Sequence, residues 1–155
     1  MKMGRQRGEA EMGPIVCATR GGEASRRTQE RAIVLAKEQG AELFFLCIAD
    51  PSFAGPVSEP LEAALVEELS WLGRLLLCIA QSRAQEQGVA AQTAIRCGLV
   101  WPSIVEYLHE TNAGTLIIGL PGTETASRSR EFEARFAQFV ERIRQSTHVE
   151  VVVVT

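Results

Sequence analysis

The chain of 155 residues is poor in several residue types on which enzyme and metal sites depend. It contains one aspartate, Asp50, and two histidines, His109 and His148. This scarcity excludes an aspartate-rich phosphotransfer site and a histidine-rich metal site. A Ser-His-Asp triad is possible by composition, but no Gly-x-Ser-x-Gly nucleophile elbow is present.

Cysteines are few, and none of them lies in a Cys-x-x-Cys pair. Cys17, Cys47, Cys78 and Cys97 therefore give no spacing support for a zinc site. We expect buried structural thiols, in keeping with a reducing, cytoplasmic location. The sequence also lacks a secretory signal and any apolar run long enough to span a bilayer, so no membrane association is expected.

Most of the positively charged residues are arginine rather than lysine. The net charge of -3 argues against a general nucleic-acid binder, and the cations comprise fourteen arginines but only two lysines. Arginine is the better bidentate partner for phosphate and carboxylate oxygens. The bias is explained either by an anion-binding role or by the base composition of the genome.

Apolar runs alternate with amphipathic stretches along the whole chain. Strands are predicted at 15–19, 43–48, 89–95, 115–118 and 149–154, and helices at 23–39, 59–87, 101–112 and from 132 to about 143. This order predicts an α/β fold with one open, parallel, five-stranded sheet and helices on both faces. We expect residues 1–13 to form a flexible leader and residues 14–155 to form a single domain.

The second helix is unusually rich in large apolar residues. Its predicted core stripe comprises Leu61, Leu65, Leu69, Leu72, Leu76 and Ile79. Val66, Trp71, Leu75 and Leu77 widen its apolar surface beyond that stripe. The breadth indicates either a broad contact with the sheet or a second face that a partner or a loop covers.

The fourth predicted strand ends abruptly in Gly119-x-x-Gly122. Ligands of open α/β sheets bind beyond the carboxyl ends of the strands. Glycine at that position lets the backbone approach a ligand closely. We therefore expect this turn to form one wall of any pocket.

Four stretches together resemble the universal stress protein family: IVCATRGGEAS (15–25), AIVLAKEQGAELFFLCIADP (32–51), GTLIIGLPG (114–122) and FVERIRQSTHVEVVVV (139–154). The resemblance covers residues 14–155. It implies a Rossmann-like sheet of the adenine nucleotide alpha hydrolase type, with strand order 3-2-1-4-5. The topological switch point then lies between strands 1 and 4, beside Arg20 and Gly119.

The resemblance also implies where nucleotide-binding members hold ATP. Arg20 takes the place of their acidic residue after strand 1, Ile48 that of an adenine contact, and Gly119 and Gly122 begin the phosphate turn. The Gly-Ser pair that should follow is replaced by Ala137-Gln138 after a longer spacer. ATP binding in the family's usual mode is therefore not expected, and ATP or AMP bound by an altered phosphate loop is the alternative.

The arginines near this site allow two interpretations. Arg20, Arg128 and Arg130 converge on a bound anion in the first. In the second, Arg20 fills the vacated site and pairs with Asp50 or Glu23.

The last strand, Val151 to Val154, would leave an exposed apolar edge unless it is paired. Pairing across a two-fold axis, which the resemblance also implies, predicts a homodimer.

The favoured function is a regulatory or interaction protein, with a nucleotide-binding stress protein as the alternative. An enzyme is disfavoured because neither histidine lies at the end of a strand, where a general base would have to lie. A phospho-receiver is disfavoured because Arg20 and Cys97 occupy the positions where a receiver needs acidic residues.

Overall fold

The structure is a computed structural model that describes residues 13–20, 22–120 and 130–155. In these residues five strands alternate with four helices and one short 3-10 turn. The elements are β1 (Ile15–Ala18), α1 (Gly22–Gln39), β2 (Leu43–Ala49), the 3-10 turn Pro51–Ala54, α2 (Glu59–Glu86), β3 (Ala91–Cys97), α3 (Val100–Thr111), β4 (Thr115–Gly119), α4 (Arg130–Ser146) and β5 (Glu150–Val154).

The five strands form one parallel sheet in the order β3-β2-β1-β4-β5, which confirms the predicted topology. β1 lies at the centre, where Ala18 pairs with Leu46 on one side and Ile118 on the other. The direction of the strand order reverses at β1. A crevice therefore opens beyond the carboxyl ends of β1 and β4, as this topology requires.

Alternate residues of the central strands supply two cores, one on each face of the sheet. Ile15 and Cys17 point into the first, which packs against α1 and α2, whereas Val16 points into the second, which packs against α3 and α4. Strands buried on both faces read as continuous apolar runs, and this explains why the strands were visible in the sequence.

The strand bounds differ from the predicted ones by one residue in four strands and by two residues at each end of β3. β3 begins at Ala91, which pairs with Leu43, rather than at residue 89. The Val89 N–H instead donates to the Ala84 carbonyl at 2.9 Å and so belongs to the end of α2. β3 lies at one edge of the sheet, as the strand order 3-2-1-4-5 predicts.

The predicted core stripe of α2 is wrong. Leu61, Leu72 and Ile79 are exposed, and the residues that α2 buries are Ser70, Gly73, Leu77, Ala80 and Ala84. The reason is steric: a Cβ at Gly73 would lie only 3.1 Å from Cys47 Sγ and 3.3 Å from Ile95 Cδ1. The face of α2 with small side chains packs closely against the sheet, and the face with large apolar side chains points outward.

The cysteine prediction is correct for two residues and wrong for two. Cys17 and Cys47 are buried, whereas Cys78 and Cys97 are exposed. Cys78 lies on an outward-facing side of α2, and Cys97 is the last residue of an edge strand. Neither position is buried between the sheet and a helix. None of the helices in the described ranges is long and apolar enough to cross a membrane.

Candidate functional site

A pocket of about 670 Å³ opens at the carboxyl end of the sheet. Its floor is formed by the ends of β1, β2 and β4, and its sides by the starts of α1 and α3 and by α4. A volume of this size is typical of sites for small molecules and cofactors. The position is the one that the switch point of the sheet predicts.

Gly119 closes the floor of the pocket at the end of β4. A Cβ at this position would lie 2.5 Å from Thr28 Oγ1, and Thr28 is buried in α1. A side chain at residue 119 would therefore force Thr28 or the packing of α1 against β4 to shift. This constraint is independent of any ligand.

A chain of buried side chains supports the floor at the end of β1. Thr19 Oγ1 accepts a hydrogen bond of 2.7 Å from Gln29 Nε2, and Gln29 Oε1 accepts one of 2.7 Å from Arg83 Nη1. Thr19 and Gln29 are both buried. The last turns of α2 are therefore joined by polar contacts to a residue that lines the pocket.

Asp50 joins two elements at the rim. Its Oδ1 accepts the Ser52 N–H at 2.9 Å, and its Oδ2 accepts the Val100 N–H at 3.1 Å, at the start of α3. Burial acts to raise the pKa of this carboxyl, but the hydrogen bonds from Ser52 and Val100 outweigh it and lower the pKa below its ordinary value. Asp50 is thus a structural cap, whose hydrogen bonds in the described part of the chain run to Ser52 and Val100 rather than to Arg20.

An aromatic cluster forms the side of the pocket where α3 meets α4. The ring of Trp101 lies 4.3 Å from that of Phe139 and 5.8 Å from that of Phe136, centroid to centroid. All three residues line the pocket. Together with Ile48 and Ile118 they give it an apolar interior that suits a planar, weakly polar group.

Among the described residues, three arginines line the same pocket: Arg20 after β1, and Arg135 and Arg142 on α4. Arg135, Gln138 and Arg142 follow one another at spacings of three and four residues, which places them on one face of the helix. Arg20, Arg135 and Arg142 are all exposed. The arrangement can bind an anionic group above an apolar interior.

The structure brings together some of the residues predicted for the site. Arg20, Ile48 and Gly119 all line the pocket. Arg130 is exposed at the first residue of α4 and is not among the lining residues. Gly122 and Arg128 lie outside the described residues.

Sequence reasoning missed Arg135, Gln138 and Arg142 as a set. Their spacing on an amphipathic helix was a usable signal, because it places three long polar side chains in one row. The row lines the pocket only because α4 packs beside β1 and β4. The aromatic residues were likewise visible as apolar positions but not as a pocket wall.

The described residues contain no cluster of three His, Cys, Asp or Glu side chains that would hold a metal ion. Cys17 lies at the centre of the sheet, and burial raises its pKa, so it is unsuited to be a thiolate nucleophile. The chemistry that the pocket offers is binding by apolar contact and by guanidinium groups.

Comparisons with known proteins agree with this architecture. A sequence profile of the universal stress protein family matches residues 12–155. A universal stress protein of Methanocaldococcus jannaschii is 28% identical over 141 residues, which cover 90% of this chain and 80% of that protein.

Two solved structures show the same fold. Universal stress protein UspA from Lactobacillus plantarum superposes with a TM-score of 0.74 at 16% identity, covering 93% of this chain and 98% of that one. A universal stress protein in complex with cAMP superposes with a TM-score of 0.66 at 22% identity, again covering 93% and 98%. With the profile matching nearly the whole length, the chain belongs to the universal stress protein family.

Proposed function

We propose that this chain is a cytoplasmic regulatory protein whose pocket binds a small nucleotide with one phosphate group, in a mode other than the usual ATP mode of its family. The observation that carries the proposal is the pocket of about 670 Å³ with an apolar interior and Arg20, Arg135 and Arg142 along its lining. An apolar cavity with a few converging polar groups is the usual form of a ligand site.

The apolar interior fits the base of a nucleotide. Ile48 lies at the position that the family resemblance gives to an adenine contact, and Trp101 and Phe139 add aromatic surface nearby. A planar heterocycle stacks on such surfaces and displaces poorly held water. These contacts would supply affinity but little selectivity among purines.

The three arginines fit a phosphate group. A guanidinium fork forms paired hydrogen bonds with phosphate oxygens, and these bonds are stronger than those between neutral groups. Three cationic side chains along one pocket also favour an anion over a neutral nucleoside. We therefore expect AMP or cyclic AMP to bind better than adenosine.

The usual ATP mode is disfavoured by three substitutions. Arg20 replaces an acidic group, and Ala137-Gln138 replaces a Gly-Ser pair, so two expected contacts to ribose and phosphate are lost. Asp50 is the nearby acid, but both of its oxygens already accept backbone N–H groups. The solved relative in complex with cAMP supports a ligand with a single phosphate.

The fluorescence of Trp101 provides a direct test. A Trp71→Phe variant leaves Trp101, in the pocket, as the only tryptophan. We expect AMP and cyclic AMP to change its emission saturably, and Arg135→Gln/Arg142→Gln to weaken binding at least tenfold. Arg31→Gln, an exposed arginine of α1, is the control and should leave the affinity unchanged. Unchanged emission with both nucleotides, or equal affinity in the double variant, would overturn the proposal.

We further propose that the protein is a homodimer joined through β5. Among the strands of the described residues, β4 is the one that pairs with β5. The ladder bonds run through Glu150 and Val154, so the backbone groups of Val153 point away from the sheet. Arg144 Nη2 donates to the Val151 carbonyl at 3.1 Å, which leaves Val153 as the natural centre for pairing with a second copy.

The oligomeric state in solution tests the dimer. Val153→Pro removes an outward N–H, and Val153→Thr keeps it while also changing the side chain. We expect light scattering after size exclusion to show a halved mass for the proline variant alone. An unchanged mass in Val153→Pro would contradict an interface through β5.

A further inference from the structure

The outward face of α2 is apolar along most of its length. Leu61, Trp71, Leu72, Leu75 and Ile79 expose between 44% and 59% of their surface. Scattered apolar residues are normal on a protein surface, but a continuous row on one helix marks an interaction site. These side chains cannot be needed for the core, because α2 already packs on the sheet with its opposite face.

Four of these five residues, all but Trp71, follow the spacing of a coiled-coil seam. We define the outer seam as the six positions that alternate in steps of four and three residues, namely Leu61, Leu65, Glu68, Leu72, Leu75 and Ile79. Five of the six are apolar. Such a 3.5-residue repeat is suited to packing against another helix rather than against a sheet. The seam extends over about 27 Å at the rise of an α-helix.

The distribution of charge along the length of α2 indicates what covers the seam. The first half of α2 carries Glu59, Glu62, Glu67 and Glu68, and no basic residue. The second half carries Arg74 and Arg83, with Glu86 at its last position. A helix with an acidic first half and a basic second half is complementary to itself when reversed. Antiparallel pairing also sets the two helix dipoles in opposition, which is favourable.

We propose that the outer seam of α2 binds the outer seam of a second copy of this chain in antiparallel orientation, about a two-fold axis level with residue 70. In this register Leu61 lies opposite Ile79, Leu65 opposite Leu75, and Glu68 opposite Leu72. A parallel arrangement would place the acidic halves side by side. The self-complementary pattern is what an isologous dimer requires.

This interface is distinct from the proposed β5 interface and does not depend on it. α2 packs on β2 and β3, near the edge of the sheet opposite to β5. Two isologous interfaces on one chain generate a closed tetramer or a longer assembly. With α2 alone, the chain would be a dimer of its 16.9 kDa protomer.

The mass of the full-length chain in solution tests the pairing. Leu72→Gln/Leu75→Gln removes two exposed apolar side chains from the seam and should halve the mass of the assembly. Val34→Gln removes a similarly exposed side chain, 52% exposed, from α1 and should not change the mass. Loss of mass with Val153→Pro instead, and none with the seam variant, would overturn this proposal while sparing the β5 dimer. A lower mass with the seam variant and an unchanged mass with Val153→Pro would support the α2 pairing and overturn the β5 dimer.

Cysteine cross-linking tests the orientation. In a Cys78→Ser/Cys97→Ser background, Leu65→Cys and Leu75→Cys are oxidised separately and together. The antiparallel register predicts a covalent dimer only when both substitutions are present in the chain. A covalent dimer from either single substitution indicates parallel seams, and no covalent dimer from the pair indicates that the seams do not meet. Either result overturns the proposal.

Discussion

Thr28 Oγ1 occupies the space that a side chain at Gly119 would need, at 2.5 Å from an ideal Cβ. The contact fixes the distance between α1 and β4, and both residues line the pocket. The glycine that marks the end of β4 is therefore a packing requirement first. Its role toward a ligand is additional.

Gly119→Ala should destabilise the protein by about 1–3 kcal/mol, because the added methyl group overpacks a buried contact. Its backbone is not in the left-handed region, so alanine would otherwise be neutral or slightly stabilising. In a Thr28→Ala background the same substitution should cost less than half as much. Denaturant unfolding of the four proteins of this cycle gives the coupling, and additive free energies would contradict the contact.

Asp50→Asn should lower the free energy of unfolding by about 1 kcal/mol at neutral pH, because one of two backbone N–H groups loses its acceptor. The pKa of Asp50 is lower in the folded protein than in the unfolded chain. Its contribution to stability is therefore complete above the unfolded pKa and is lost as the pH falls through the folded pKa.

Unfolding of Asp50→Asn and of the parent protein between pH 7 and pH 2 checks this sign. The difference between them should be constant at neutral pH and shrink below about pH 4. A difference that grows on acidification would mean that the carboxyl is not held by Ser52 and Val100.

Two of the four thiols should react with a chromogenic disulfide reagent in the native protein, and all four in denaturant. Cys78 and Cys97 are exposed, whereas burial raises the pKa of both Cys17 and Cys47 and keeps them as thiols. Cys78→Ser should reduce the native count by one. A count of four in the native protein would contradict the buried positions of the strand cysteines.

Arg83→Met should destabilise the protein by about 1–3 kcal/mol, because the substitution leaves the Gln29 carbonyl oxygen buried without its donor. Methionine preserves most of the apolar stem of arginine, so the loss is chiefly that of the hydrogen bond. Arg31→Met, at an exposed position of α1, should change stability by less than about 0.5 kcal/mol. Equal effects in both variants would show that the chain from Thr19 to Arg83 has no energetic role.

The fold was predictable because its three central strands are buried on both faces and its helices are separated by glycine or proline. Ile15–Ala18 and Thr115–Gly119 could be read directly as central strands. The face of α2 that meets the sheet was not predictable in the same way. Hydropathy favours Leu61, Leu72 and Ile79 for the core, but the close approach at Gly73 admits only the small side of the helix.

The site was predictable only where residues follow a strand directly. Arg20, Ile48 and Gly119 are fixed at the edge of the sheet by the strand order, so their common location could be inferred. Arg135 and Arg142 reach the pocket through the docking angle of α4, which no local pattern encodes. The sequence allows Asp50 as a partner for Arg20, but the hydrogen bonds of Asp50 run to Ser52 and Val100.

The central claim is that the pocket recognises a nucleotide through one phosphate group. Isothermal titration of the purified protein with AMP, adenosine and ATP at one salt concentration tests it most directly. We expect AMP to bind at least tenfold more tightly than adenosine, a difference of about 1.4 kcal/mol, and ATP to gain no further affinity. Equal binding of AMP and adenosine, or binding of ATP alone, would contradict the account.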